Sequence, residues 1–99
     1  MKHTVKGDTV TVYLDGELDH HTAKGVRAEL EALIESPRVK RLVLDLSGLT
    51  FMDSSGIAVL LRLWQRMEEL AGTIQVTGLP DQPARVLRAA GLQRLIPLT

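Results

Sequence analysis

The stretch FMDSSG, residues 51–56, sets a carboxylate and two adjacent hydroxyls where a strand-like run gives way to a helix-like one. Asp53, Ser54 and Ser55 admit three kinds of chemistry there. The plainest is capping, in which Asp and Ser oxygens accept from amides that a first helical turn leaves free, contributing about 1 kcal/mol. The second is nucleophilic, a serine raised on a strand-to-helix turn. That motif reads G-x-S-x-G; Gly56 fits its last position, but Met52 stands where the first glycine belongs. Only His20, His21 and His3 could serve as a base, and no glycine-rich segment offers a second oxyanion donor, so acyl transfer fits poorly. The third is a phosphorylation switch. A phosphate on a serine at a helix N-terminus meets free amides and the positive end of the helix dipole. It adds about 1.5 to 2 negative charges, beside Asp53 and, if their loop lies at the same end of the sheet, beside Glu17 and Asp19. The fold would accept that charge, while a partner docked against the small hydroxyl would be repelled. Spacing alone does not choose between cap and switch.

The elements that must position these groups follow from periodicity. His3–Lys6 and Thr9–Leu14 flank Gly7-Asp8, a pair suited to a hairpin turn, and Val10, Val12 and Leu14 alternate with Thr11 and Tyr13. GELDHHTAKG then opens a helix with Thr22 as N-cap and Val26, Leu30, Leu33 and Ile34 as its apolar stripe, ended by Ser36-Pro37. RLVLDL, residues 41–46, is nearly continuous in apolar residues, as a central strand covered on both faces would be. A helix is predicted from Ser54 to Leu70 with the stripe Ile57, Leu60, Leu61, Trp64, Met67 and Ala71, stopped by Gly72. Thr73–Thr77 reads as a strand with Ile74 and Val76 inward. Asp81 is expected to cap a third helix whose Val86, Leu87 and Ala90 face inward, with Gly91 closing it. Leu95–Leu98 is expected to be a last strand, at a sheet edge because of Pro97. The order implies an α/β domain with a mixed sheet of about five strands flanked by helices.

The 99 residues amount to one domain, 1–99, with no linker or repeat. With 44% hydrophobic and only 3% aromatic residues, the core must be mostly Leu, Val, Ile and Ala. Twelve basic residues balance twelve acidic ones, which argues against nucleic acid as a direct partner. The absence of cysteine removes disulfides and thiolate chemistry. No signal-like N-terminus and no apolar run of membrane length occur, so the reading is a soluble intracellular protein without a membrane partner.

Other polar residues have blander roles. His20 and His21, adjacent in an extended segment, would point to opposite sides and lack a third ligand, so no metal site is expected. Asp45, inside an apolar strand, either faces solvent near the switch or caps a turn. Arg62, Arg66, Glu68 and Glu69 read as a solvated face. Leu79–Gln82, with Pro80 and Pro83, reads as the start of a helix rather than a binding motif. Leu49 and Phe51 are candidate partner anchors, with at least one of them expected in the core.

GELDHHTA (Gly16–Ala23) and DLSGLTFMDSSG (Asp45–Gly56) resemble segments of the STAS domain family, and specifically its anti-sigma factor antagonists of the sporulation sigma-F type. The resemblance in element order covers essentially the whole chain. It implies a cytoplasmic, non-enzymatic regulator that binds an anti-sigma factor, itself a serine kinase of the histidine-kinase-like ATPase fold, and so frees a sigma factor. The kinase would phosphorylate the serine directly after the motif Asp, here Ser54 with Ser55 as the alternative, and a PP2C-type phosphatase would reverse it. The partner-binding residues implied are Glu17, Asp19, His20, His21 and Thr22 on one loop and Asp53, Ser54, Ser55 and Gly56 on the other. ATP and magnesium belong to the kinase, leaving no cofactor to this chain. Two departures stand out: relatives carry a terminal helix beyond the fifth strand, whereas this sequence runs to Thr99, and Ala58 replaces a common glycine, narrowing the approach to Ser54. The other function the family implies is an accessory subunit of a lipid-transport complex or a stress-signalling scaffold.

Overall fold

The computed structural model describes residues Met1–Thr99. Lys2–Lys6 (β1) and Thr9–Leu18 (β2) pair antiparallel across the Gly7-Asp8 turn, with Lys6 opposite Thr9. Ala23–Ile34 (α1) returns the chain to Arg41–Met52 (β3), and Ser54–Glu69 (α2) carries it to Thr73–Thr77 (β4). Both helical crossovers join parallel neighbours, β2 to β3 and β3 to β4, as parallel pairing requires. The sheet order is β1-β2-β3-β4. Asp81–Ala89 (α3) and a 3-10 turn at Leu92–Arg94 follow. No helix is long and apolar enough to cross a membrane.

One hydrophobic cluster holds the molecule together. Val10, Val12 and Leu14 of β2, Leu42, Leu44 and Leu46 of β3, and Ile74 and Val76 of β4 meet Leu30 and Ile34 of α1, Leu60 and Leu63 of α2, and Leu87 of α3. No polar or charged residue is buried. The run RLVLDL is therefore not covered on both faces. Leu42, Leu44 and Leu46 are buried, while Arg41 is exposed and Val43 and Asp45 are half-buried on the opposite face. The helices all contribute to the same cluster, so one face stays wet, and β3 alternates like a one-sided strand.

Three further expectations change. There are four strands; the Leu95–Leu98 segment supplies only a single bridge, Leu98 to Val76, with Val76 N–H donating to Pro97 C=O at 2.9 Å. Proline cannot donate to a ladder, which keeps this contact to the edge. The buried stripe of α2 is Val59, Leu60, Leu63 and Met67, with Ile57, Leu61 and Trp64 half-buried and Ala71 exposed beyond the helix end. That end turns on Ala71, at φ 57°; Gly72 is needed because a Cβ there would lie 2.7 Å from the Lys40 carbonyl oxygen. Asp81 is the first residue of α3 and makes no capping hydrogen bond, the cap position being Pro80; Ala90 at its far end is exposed. On the solvent-exposed charged face, Arg66 of α2 also forms a two-bonded ion pair, at 2.9 and 2.8 Å, with Glu35, the residue that ends α1.

Candidate functional site

The two motif segments meet because β2 and β3 run side by side past the end of β4. Glu17 lies opposite Phe51 and Leu18 opposite Met52. The register shifts on the way, and Thr50 is left without a partner between Leu49 and Phe51. Such a bulge re-aims the residues after it: Leu49 and Met52, three apart, are both buried, while Phe51 is 40% exposed. Of the two candidate anchors, then, one is core and one is at the surface.

Each strand ends on an Asp that starts a helix. Asp19 Oδ1 accepts from His21 N–H at 2.9 Å and Thr22 N–H at 3.1 Å, and its carbonyl accepts the first helical amide, Ala23 N–H, at 2.8 Å. Thr22 sits at the cap position but makes no capping bond; its hydroxyl accepts from Asp19 N–H at 3.1 Å and donates to Glu17 C=O at 2.9 Å. Asp19, not Thr22, does the capping, and Thr22 ties the loop to itself. Partial desolvation raises the Asp19 pKa, but the Thr22 and His21 amides, the His21 charge and the Thr22 hydroxyl outweigh it and hold the carboxyl below its ordinary range. The turn also brings the His20 and His21 rings to one side, centroids 3.9 Å apart, rather than to opposite sides as an extended segment would. No three His, Cys, Asp or Glu side chains gather closely enough to hold a metal ion.

At the second start, Asp53 is extended, with φ −111° and ψ −169°, and its Oδ1 accepts from Ser55 N–H at 2.8 Å. Its carbonyl accepts from Gly56 N–H at 3.0 Å, and its own N–H donates to Leu18 C=O at 3.2 Å, fastening this turn to the first loop. The cap is thus the carboxylate, and neither serine is needed for it. Ser54, first residue of α2, is exposed and its hydroxyl makes no hydrogen bond within the chain. Ser55 is half-buried and opens into a groove of about 370 Å³ between the helices, with His20, Lys24 and Arg27 on one wall and Ala58 and Val59 on the other. Ala58 lines that groove beside Ser55 and, four residues after Ser54 on α2, also shares the Ser54 side of the helix. Gly56 is buried against Met52, so that a Cβ would come within 2.5 Å of Met52 Cγ.

Asp45 takes the turn-capping role: its Oδ1 accepts from Ser47 Oγ at 2.6 Å and Ser47 N–H at 2.9 Å. The Ser47 hydroxyl, then its amide, lower the Asp45 pKa against a smaller desolvation effect. The residue that sequence reasoning missed is Gln82, whose carboxamide bonds both backbone groups of Met52, at 2.8 Å each, across 30 residues. Only its place between two prolines hints that this helix start is fixed in space.

Comparison with known proteins adds to this geometry. The STAS domain matches residues 1–99. An anti-sigma F factor antagonist of Paenibacillus polymyxa is 36% identical over 87 residues, which is 88% of this chain and 74% of the relative. The anti-sigma factor antagonist SpoIIAA in its unphosphorylated form superposes with a TM-score of 0.75 at 28% identity, over 99% of this chain and 86% of that one. The phosphorylated form of the Bacillus cell fate determinant SpoIIAA gives 0.72 at 29%, over 99% and 89%. A whole-length match together with a relative above a third identical settles the family: this chain belongs to the STAS domain family.

Proposed function

We propose that the protein is an anti-sigma factor antagonist that binds an anti-sigma serine kinase while Ser54 is unmodified and lets go once Ser54 is phosphorylated. The observation that carries this reading is the division of labour at the start of α2. Asp53 caps the helix, and the exposed Ser54 hydroxyl has no structural task. Modifying it breaks no hydrogen bond of the fold. The existence of SpoIIAA in unphosphorylated and phosphorylated forms supports the same reading.

The Ser54 oxygen attacks the γ-phosphorus of the kinase's magnesium-bound ATP. The bond from that phosphorus to the β–γ bridging oxygen breaks, ADP departs, and the hydroxyl proton passes to a base on the kinase. A PP2C-type phosphatase returns the serine by delivering water to the phosphoester. The phosphate brings about 1.5 to 2 negative charges next to Asp53, at the end of the sheet that also carries Glu17 and Asp19. With the Ser55 and Gly56 amides already taken by Asp53, it is the positive end of the α2 dipole that favours the phosphate on this chain, and a docked partner meets its charge and bulk. The loop Glu17–Thr22 and the turn Asp53–Gly56, joined through Asp53 and Leu18, form one docking surface with Phe51 as its apolar anchor.

The test is peptide mass spectrometry after incubation with ATP, magnesium and the ATPase-fold kinase encoded nearest to this gene. One phosphoryl group on the Ser54 peptide, lost in Ser54→Ala, is the expected result. No added mass, with the kinase active on another substrate, would leave a constitutive scaffold or transporter subunit.

A further inference from the structure

We infer that Gln82, at the start of α3, is a positioning residue that sets the phosphoacceptor turn for phosphoryl transfer; this rests on the switch reading of Ser54. β4 pairs with β3 only from Arg41 to Asp45, so the far half of β3 has no strand on that side. Met52, the last residue of β3, is paired with Leu18 on its other side. On the open side Gln82 acts as the missing strand would. Its Oε1 accepts from Met52 N–H and its Nε2 donates to Met52 C=O, both at 2.8 Å.

A carboxamide suits this task because it offers an acceptor and a donor in one plane. The Met52 side chain is only 1% exposed and sits beneath Gly56, so backbone and side chain of this residue are held from two directions. Met52 is the pivot from which Asp53 and Ser54 extend. Pro83, buried one residue after Gln82, anchors the helix that carries the clamp. In-line transfer needs the serine oxygen within a narrow range of positions, and a misplacement of about 1 Å can cost on the order of a hundredfold in rate. Without the clamp, a half-buried amide and carbonyl would seek other partners, and Ser54 would sample positions off the line of attack. Docking through the Glu17–Thr22 loop would persist.

The test compares wild type with Gln82→Met, which keeps length and loses both bonds, and Gln82→Glu, which keeps an acceptor and loses the donor when ionised. Phosphorylation kcat and KM are measured with the kinase, ATP and magnesium well below each variant's Tm, alongside amide exchange at Met52. The expected result is a kcat lowered about tenfold or more, a KM within about twofold of wild type, and faster Met52 exchange. Should Gln82→Met fail to fold, Gln82→Glu decides. Folded variants with wild-type kcat, or a loss confined to Tm or KM, overturn the inference while leaving the switch intact. A wild-type protein that takes no phosphate overturns the switch reading and the inference with it.

Discussion

The two helix starts that build the site make a natural pair. LDHHT and MDSSG each leave a strand, each place an Asp directly after a buried apolar residue, and each use that Asp to hold the next turn's amides. They differ in what happens to the hydroxyl. Thr22 is bonded to Asp19 N–H and Glu17 C=O and is part of the loop's scaffold. Ser54 is bonded to nothing and is part of the surface. A hydroxyl that the fold uses cannot change without cost to the fold, whereas a spare one can be modified and restored. That contrast, rather than the presence of serine at a helix start, is the ground on which Ser54 is proposed as the switch.

The largest expected effect sharpens the contrast between the helices' glycines. Gly56→Ala drives a methyl into Met52, which is buried and has little room to move. It should cost about 1–3 kcal/mol. Gly25→Ala, in exposed α1 with nothing within 4 Å, should stabilise by about 0.5–1 kcal/mol. Urea denaturation of the two variants reads both signs. Next come the hydroxyls: Thr22→Val should lose about 1 kcal/mol, a Tm drop of roughly 4–8 °C. Ser54→Ala, which removes no bond and places a better helix former, should leave Tm level or slightly raised. Equal losses in the two would break the contrast. The smallest effect lies in pH. The Asp19 carboxyl is held below its ordinary range, so its contribution is present above the unfolded pKa of about 3.9 and is lost as pH falls through the lower folded value. Denaturation midpoints followed from pH 6 down should therefore fall less steeply in Asp19→Asn than in wild type.

How much of this could be read from the sequence follows from the range of the interactions concerned. The alternation in β2, the stripe Leu30 and Ile34 in α1, and the two Asp-led motifs are local, and they stand in the structure where periodicity and resemblance put them. What failed was set by tertiary packing. The apolar run of β3 gives no sign of which face the helices leave open, since Val43 is as apolar as its buried neighbours. The stripe of α2 was displaced because nearly every position from Ile57 to Leu63 is apolar, so that Val59 and Leu63 could not be told from Ile57 and Leu61 by period. Residue type alone does not fix the capping roles at Thr22 and Asp81, where the preferred residue is present but its side chain is otherwise occupied or unbonded. Gln82 lies 30 residues from the backbone it holds, and a lone glutamine carries no pattern at all.

The central claim, that charge at one spare hydroxyl governs docking, is tested most directly by the affinity of the cognate anti-sigma kinase for wild type and Ser54→Asp, measured by calorimetry at fixed ionic strength. Added charge at a desolvated contact is expected to weaken binding by about tenfold or more, with Tm little changed. Equal affinity for the two proteins would contradict the account and return Asp53-Ser54-Ser55 to the role of a helix start.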